Sequence, residues 1–239
     1  MNYEKWDEIL APYQHAVEEL KNIRKEFLTK GEYSPIEFVT GRTKKISSII
    51  SKANRLDTND IEGKIDDIAG IRIMCQFVED IYTIVELIKN RTDMTVINEK
   101  DYITNFKESG YRSYHLIIKY PINSIAGSKE IHCEIQIRTL AMNFWATIEH
   151  SLKYKYEHYI PENVALRLRK AADAAFLLDE EMSEIREDIM KAQVMYQAKS
   201  VTLKDVLKKI QELYNLGEIS SALKYQRRLD KIDSERDID

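Results

Sequence analysis

Four polar side chains, His132, Glu134, Gln136 and Arg138, alternate along one stretch of this chain with Cys133, Ile135 and Ile137 between them. A period of two sends successive side chains to opposite faces of a strand, so the Glu134 carboxylate shares its face with an imidazole, an amide and a guanidinium. Asp66 and Asp67 stand just before a second alternating run that begins near Ile68. Two carboxylates at strand ends in one sheet suit a hard divalent ion such as Mg²⁺, with nucleotide phosphates in the remaining positions. A plain solvated polar face has the same spacing. Lys44, Ser48, Lys52 and Arg55 fall on one arc of a helix, opposite Ile46, Ile49, Ile50 and Ala53. That pattern fits a rake of phosphate-binding groups and equally a solvated helix face. The loop Lys107-Glu108-Ser109-Gly110-Tyr111-Arg112-Ser113-Tyr114-His115 sets a turn glycine beside an aromatic ring, cations and hydroxyls. It suits base stacking with Lys107 or His115 at a phosphate, or a tyrosine packed over a sheet edge. No Walker-type or G-x-G-x-x-G glycine motif occurs, so any nucleotide is held by another geometry.

The elements that must position these groups follow from periodicity. Leu10, Val17, Leu20, Ile23 and Phe27 predict a helix over about 3–30, closed by Gly31. Ser34-Pro35 with Glu37 reads as a capping box opening a short helical turn that breaks near Gly41. The basic-faced helix runs over about 43–56. Strand patterns follow at Ile71 to Phe77, about Met94 to Asn98, Tyr114 to Tyr120 and Ile131 to Ile137, with a helix at about 79–90. This is a mixed sheet with one helix inserted early, an α+β or α/β core. A helix over about 139–156 carries Met142, Trp145, Ile148 and Leu152. After Pro161 a long helix over about 162–195 keeps Leu168, Ala171, Ala175, Leu178, Met182, Ile185, Ile189 and Ala192 at seam spacing, for packing on the first helix or on another subunit. The tail restarts at Thr202 with Asp205, breaks at Gly217 and ends in a charged helix. The expected domains are 1–195, carrying the site, and a helical appendage over 196–239.

With 239 residues, 44% hydrophobic and 32% charged, the chain can bury one substantial core. A net charge of -4 argues against broad nucleic-acid binding, so any basic site is local. Cys75 and Cys133 stand far apart in apolar alternation, without zinc-ligand spacing, and read as reduced thiols of a cytoplasmic protein. No signal pattern opens the chain, and no apolar run approaches the ~20 residues that span a bilayer.

The strings Ser34-Pro-Ile-Glu-Phe-Val-Thr-Gly-Arg42, Asp67-Ile-Ala-Gly-Ile-Arg72, Glu108-Ser-Gly-Tyr-Arg-Ser-Tyr-His115, Glu134-Ile-Gln-Ile-Arg-Thr139 and Ala141-Met-Asn-Phe-Trp-Ala-Thr-Ile-Glu-His150 together resemble the RelA/SpoT-type synthetases, in particular the small alarmone synthetases of the RelQ branch. The resemblance covers about 1–195, in order. It implies a nucleotidyltransferase-like mixed sheet flanked by helices, with long C-terminal helices. It also implies an enzyme of the stringent response that moves pyrophosphate from ATP to the 3′-hydroxyl of GDP, GTP or GMP with Mg²⁺.

Residue by residue, the resemblance makes Asp67 and Glu134 the metal carboxylates, Glu134 also drawing off the attacking hydroxyl's proton. Arg42 and Arg72 match the arginines that sandwich adenine, where a planar guanidinium suits stacking. Lys44, Ser48, Lys52 and Arg55 match the grip on the ATP phosphates. Tyr111 matches the ring stacked on guanine, with Lys107, His115, Gln136 and Asn143 as the other acceptor contacts. The branch forms homotetramers, and an alarmone cleft between subunits would involve Lys21, Arg24, Phe38 and Thr40. None of His15, His115, His132, His150 and His158 is followed by aspartate, so a companion hydrolase is not expected. Open alternatives are another acceptor, a tRNA 3′ end or an adenine nucleotide, a silent nucleotide- or RNA-binding module, and regulation by RNA.

Overall fold

The computed structural model describes residues 3–28, 34–124, 127–155 and 161–234. Helix α1 (Tyr3–Leu20) buries Trp6, Leu10, Tyr13, Val17 and Leu20 at intervals of three and four. The long first helix expected from periodicity divides here. The Asn22 side-chain amide takes the Glu18 carbonyl (3.0 Å), while its N–H turns to Glu19 O, and a separate α2 (Ile23–Leu28) follows. Gly31, read as its stop, lies outside the described residues.

The expected helical turn after Ser34 is instead a strand, β1 (Phe38–Thr43). Ser34 Oγ accepts from the nearby Ile36 N–H (3.2 Å), making a local turn. Glu37, cast as its capping partner, already sends its N–H to Met74 O and takes a hydrogen bond from Gln76 on its side chain. The β-branched Val39, Thr40 and Thr43 then favour extension. Helix α3 (Ile46–Arg55) buries Ile49 and Ala53, and α4 (Ile61–Lys64) is a single turn capped by Asp60. Lys44, expected on the helix, precedes it. The remaining elements are β2 (Ala69–Cys75), α5 (Val78–Lys89), β3 (Thr95–Asp101), β4 (Tyr114–Ser124), β5 (Gly127–Thr139), α6 (Leu140–Lys155), α7 (Glu162–Asn215) and α8 (Ile219–Ser234).

The five strands form one mixed sheet in the order β1-β2-β5-β4-β3, with β2 and β5 parallel and every other pair antiparallel. On one face Ile71, Ile73, Leu116, Ile118, Ile135 and Ile137 join α1 and α5 in the main core. The register then fixes what the opposite face carries, because laterally paired residues point the same way. One row runs Thr40, Arg72, Gln136, His115, and the next Arg42, Gly70, Glu134, Ile117.

Two compact units divide between Ser183 and Glu184. In the first, α7 packs inward through Ala172, Phe176 and Asp179, with Leu168 and Ala175 of the expected seam partly buried beside Ala172, whereas its Leu178 and Met182 are exposed. Asp179 accepts from the Thr139 hydroxyl (2.6 Å), which in turn accepts the Met142 N–H at the start of α6 (3.1 Å). The described residues of the second unit, 184–234, form a helical hairpin with Ile210, Leu213 and Ala222 buried. The break expected before Thr202 does not occur, since no Gly or Pro interrupts 162–215. The turn comes at Gly217 (φ 76), where Gly217 N–H reaches Tyr214 O and Glu218 N–H reaches Leu213 O in a Schellman pattern.

Candidate active site

Asp67 sits on the turn into β2, and the strand next to it carries Glu134. Both line one cavity of ≈ 300 Å³ with Arg42, Lys44, Arg72 and Gln136. Lys44 is anchored there by its own backbone, its N–H donating to Ile68 O (2.8 Å). Its ammonium donates to Asp67 Oδ2 (2.6 Å), and Lys52, reaching from α3, donates to Oδ1 (2.8 Å). Burial pushes the Asp67 carboxyl up, but the hydrogen bonds and charges of Lys44 and Lys52 outweigh it and hold the group below the usual carboxylate range. Glu134 shows the same balance. Burial raises it, while hydrogen bonds from His115 (3.0 Å) and Gln136 (2.8 Å) bring it below its ordinary value, against the repulsion of Asp67. Asp67 and Glu134 are thus anionic donors opening on one space.

Arg42 and Arg72 line both this cavity and a second of ≈ 750 Å³, which adds Arg55, Lys107, Tyr111 and Arg138. Burial and then the charges of Arg138 and Arg42 lower the Arg72 pKa. Its Nε is buried without a hydrogen-bond partner among the described residues, a donor left for a ligand. A third groove, ≈ 1190 Å³, follows Lys44, Ser48, Lys52 and Arg55 along α3 and is walled by Thr147 and His150 of α6. The basic face is therefore a groove wall, and Asp67 lines both this groove and the cavity that holds Glu134.

The acceptor-loop residues also converge. Gly110, at φ 87, turns the chain between Lys107 and Tyr111, and a Cβ there would fall 2.5 Å from that of Ala172. Arg112 is buried between the rings of Phe106 and Phe176 (4.4 Å to each) and donates to Asp173, fastening the loop to α7. Tyr111 meets Tyr102 and His115 edge-on, with the Lys107 ammonium 4.9 Å from its ring centre. Burial raises its phenol pKa against the pull of Arg138.

Asn143 stands apart from these three cavities. It shares a face of α6 with Ala146, Thr147 and His150, and its buried Oδ1 has no partner among the described residues. Asp66 turns away to His132 (2.8 Å). Of the residues expected at a separate regulatory cleft, Thr40 lines the same cavity as Asp67. Arg24 donates to Ile36 O, Lys21 pairs with Glu18, and Phe38 is half-exposed on β1.

Sequence reasoning gave no role to Arg138, Thr147, His150 or Lys153, all of which line these cavities. The signals were present. Arg138 continues the alternation of Glu134 and Gln136, and the other three recur every third residue on α6.

Residues 41–159 match the model of a region found in RelA and SpoT proteins. The chain is 53% identical over 205 residues to GTP pyrophosphokinase YjbM of Bacillus subtilis (strain 168), covering 83% of this chain and 97% of that protein. It is 38% identical to YwaC of the same organism over 194 residues, 78% and 92% of the two chains. Among solved structures it resembles small alarmone synthetase 1 from Bacillus subtilis bound to its product pppGpp, at 55% identity and TM-score 0.74, over 78% of this chain and 98% of that one. The same protein bound to AMPCPP aligns at 50% identity and TM-score 0.68, over 79% and 99%. The fold, the convergence of these motifs on one face and these likenesses agree: the chain belongs to the RelA/SpoT family, on the branch of the small alarmone synthetases.

Proposed function

We propose that this chain transfers the β,γ-pyrophosphate of ATP to the 3′-hydroxyl of GDP or GTP, with GMP as a further acceptor, releasing AMP. The observation that carries the reading is that Asp67 and Glu134 open on one cavity whose other walls are the guanidiniums of Arg42 and Arg72 and the ammonium of Lys44. Relatives named GTP pyrophosphokinase and solved with pppGpp and AMPCPP support it.

In this reading Arg42 and Arg72 take the adenine between them, and Lys44, Ser48, Lys52 and Arg55 hold the triphosphate along α3. Tyr111 stacks on guanine, while Lys107, His115, Gln136 and Asn143 orient the acceptor. The 3′-oxygen attacks the β-phosphorus in line, its proton passes to Glu134, and the bond from the β-phosphorus to the α-bridging oxygen breaks as AMP leaves. Such chemistry depends on positioning and on neutralising charge across the transferred group, the task of Lys52 and Arg55. The two anionic carboxylates suit Mg²⁺, which binds proteins through one or two carboxylates and otherwise through water and phosphate oxygens. When bound, it would neutralise phosphate charge. Lys44 and Lys52, which neutralise Asp67 in the free protein, then have the nucleotide's phosphates as partners. Two free buried thiols suit the cytoplasm. The exposed Leu178 and Met182 suit association into a homotetramer.

Purified protein incubated with ATP, Mg²⁺ and GDP, GTP, GMP, ADP or tRNA in turn tests this, with AMP and the pyrophosphorylated product read by mass spectrometry. Guanine nucleotides are expected to support AMP release. Asp67→Asn and Glu134→Gln are expected to abolish it with an unchanged melting temperature. Turnover only with ADP or tRNA, or full activity in either variant, overturns the assignment.

A further inference from the structure

Glu134 and four side chains around it close a hydrogen-bonded ring. His115 Nδ1 lies 3.0 Å from Glu134 Oε1, and His115 Nε2 lies 2.8 Å from the Tyr111 hydroxyl. Arg138 Nη2 donates both to that hydroxyl (2.5 Å) and to Gln136 Oε1 (2.8 Å), and Gln136 Nε2 donates to Glu134 Oε2 (2.8 Å).

The donor inventory gives the ring a direction. A guanidinium only donates, so the Tyr111 oxygen accepts from Arg138 and is free to send its own proton to His115 Nε2. Nδ1 of the imidazole then carries the other proton and donates to Glu134. On the second branch, Arg138 claims the Gln136 carbonyl oxygen and so turns the amide NH₂ toward Glu134. Both branches start at one cation and end on one carboxylate, each on a different oxygen. Arg138 is itself held, being 4% exposed with its Nε donating to Ser113 Oγ (3.1 Å).

We propose that Arg138 is the positioning residue for Glu134, acting through the Tyr111 hydroxyl and His115 on one side and through Gln136 on the other. Each carboxylate oxygen accepts one bond and keeps its remaining lone pair for the cavity. The hydroxyl of Tyr111 therefore has a task separate from that of its ring. The ring offers a face to a base, and the oxygen relays orientation from Arg138.

The inference rests on the pyrophosphate-transfer reading, and the two fail differently. A wild-type chain that releases no AMP from ATP and GDP refutes that reading. The circuit is tested by kcat and KM for GDP in Tyr111→Phe, Arg138→Gln and the double variant, alongside their melting temperatures. Tyr111→Phe is expected to lower kcat about ten-fold, the scale of one hydrogen bond to a charged group, and to leave KM for GDP within about two-fold. Arg138→Gln breaks both branches and is expected to cost about a hundred-fold in kcat. The double variant is expected to be no slower than Arg138→Gln alone, because both changes cut one circuit. Wild-type kcat in Tyr111→Phe, a loss confined to KM, or losses that multiply in the double variant overturn the proposal. Tyr111→Phe removes a single oxygen and carries the test by itself where Arg138→Gln proves unstable.

Discussion

Asp179 is a carboxyl group only 5% exposed, packed beneath the end of β5. It faces the Thr139 hydroxyl from β5, Glu79 from α5 and the Cys75 thiol from β2. Burial pushes its pKa up from 3.8 to about 6, with the Thr139 bond opposing and the Glu79 charge reinforcing the shift. The folded chain thus binds this proton more tightly than the unfolded chain does. Stability from this group is complete below the unfolded pKa and is lost as pH rises through the folded one. Two pKa units correspond to about 3 kcal/mol, of which about half is already gone at pH 5 and the rest by pH 8. Asp179→Asn cannot titrate, so its stability relative to wild type is expected to improve by about 1.5 kcal/mol between pH 5 and pH 8. In a unit of this size that is a relative rise of about 3–6 °C in Tm. Thermal melts of both proteins at the two pH values measure it. A constant offset between the proteins, of either sign, reflects the changed hydrogen bond to Thr139. The reasoning is refuted when that offset is the same at both pH values or grows more favourable toward pH 5.

Two glycines make contrasting tests. A Cβ at Gly70 would meet only Arg42 O, at an ordinary 3.7 Å, yet Gly70 lines the cavity and pairs with Glu134. The fold therefore does not demand glycine there. Gly70→Val is expected to hold or raise Tm while weakening binding of AMPCPP at least about ten-fold, by calorimetry; wild-type affinity would count against it. Gly110→Ala meets both positive φ and Ala172, and is expected to lower Tm and raise KM for GDP while AMPCPP affinity holds. An unaltered KM and Tm would mean that the loop does not need its fit against α7.

The alternation at 131–138 was legible because a strand with one buried face prints its geometry on the sequence, and it correctly put His132, Glu134, Gln136 and Arg138 on one side. The helix around Ile49 and Ala53 was legible for the same reason. β1 was not, because Ser34-Pro35 and Glu37 mimic a helix start, and only pairing with β2 decides otherwise. The seam on α7 was read from apolar spacing alone. The side that packs includes the small Ala172 and the acidic Asp179, which such spacing discounts. Arg138 was visible but had no role, since its importance lies in what it touches across the sheet. No local pattern encodes that Lys44 and Lys52 both end on Asp67.

The register that brings the carboxylates together also has a bearing on when the site appears during folding. β2 and β5 are neighbours in the sheet, but α5, β3 and β4 lie between them in the chain. Local hairpin pairing joins β3 to β4 and β4 to β5, whereas the parallel contact of β5 with β2 is long-range and must wait for loop closure. A chain emerging from the ribosome with only β1 to β4 available has Asp67 and its lysines but no Glu134 beside them. On the proposed function, nucleotide binding is expected to report the β2–β5 pairing, with ATP stabilising the finished sheet rather than its earlier stages.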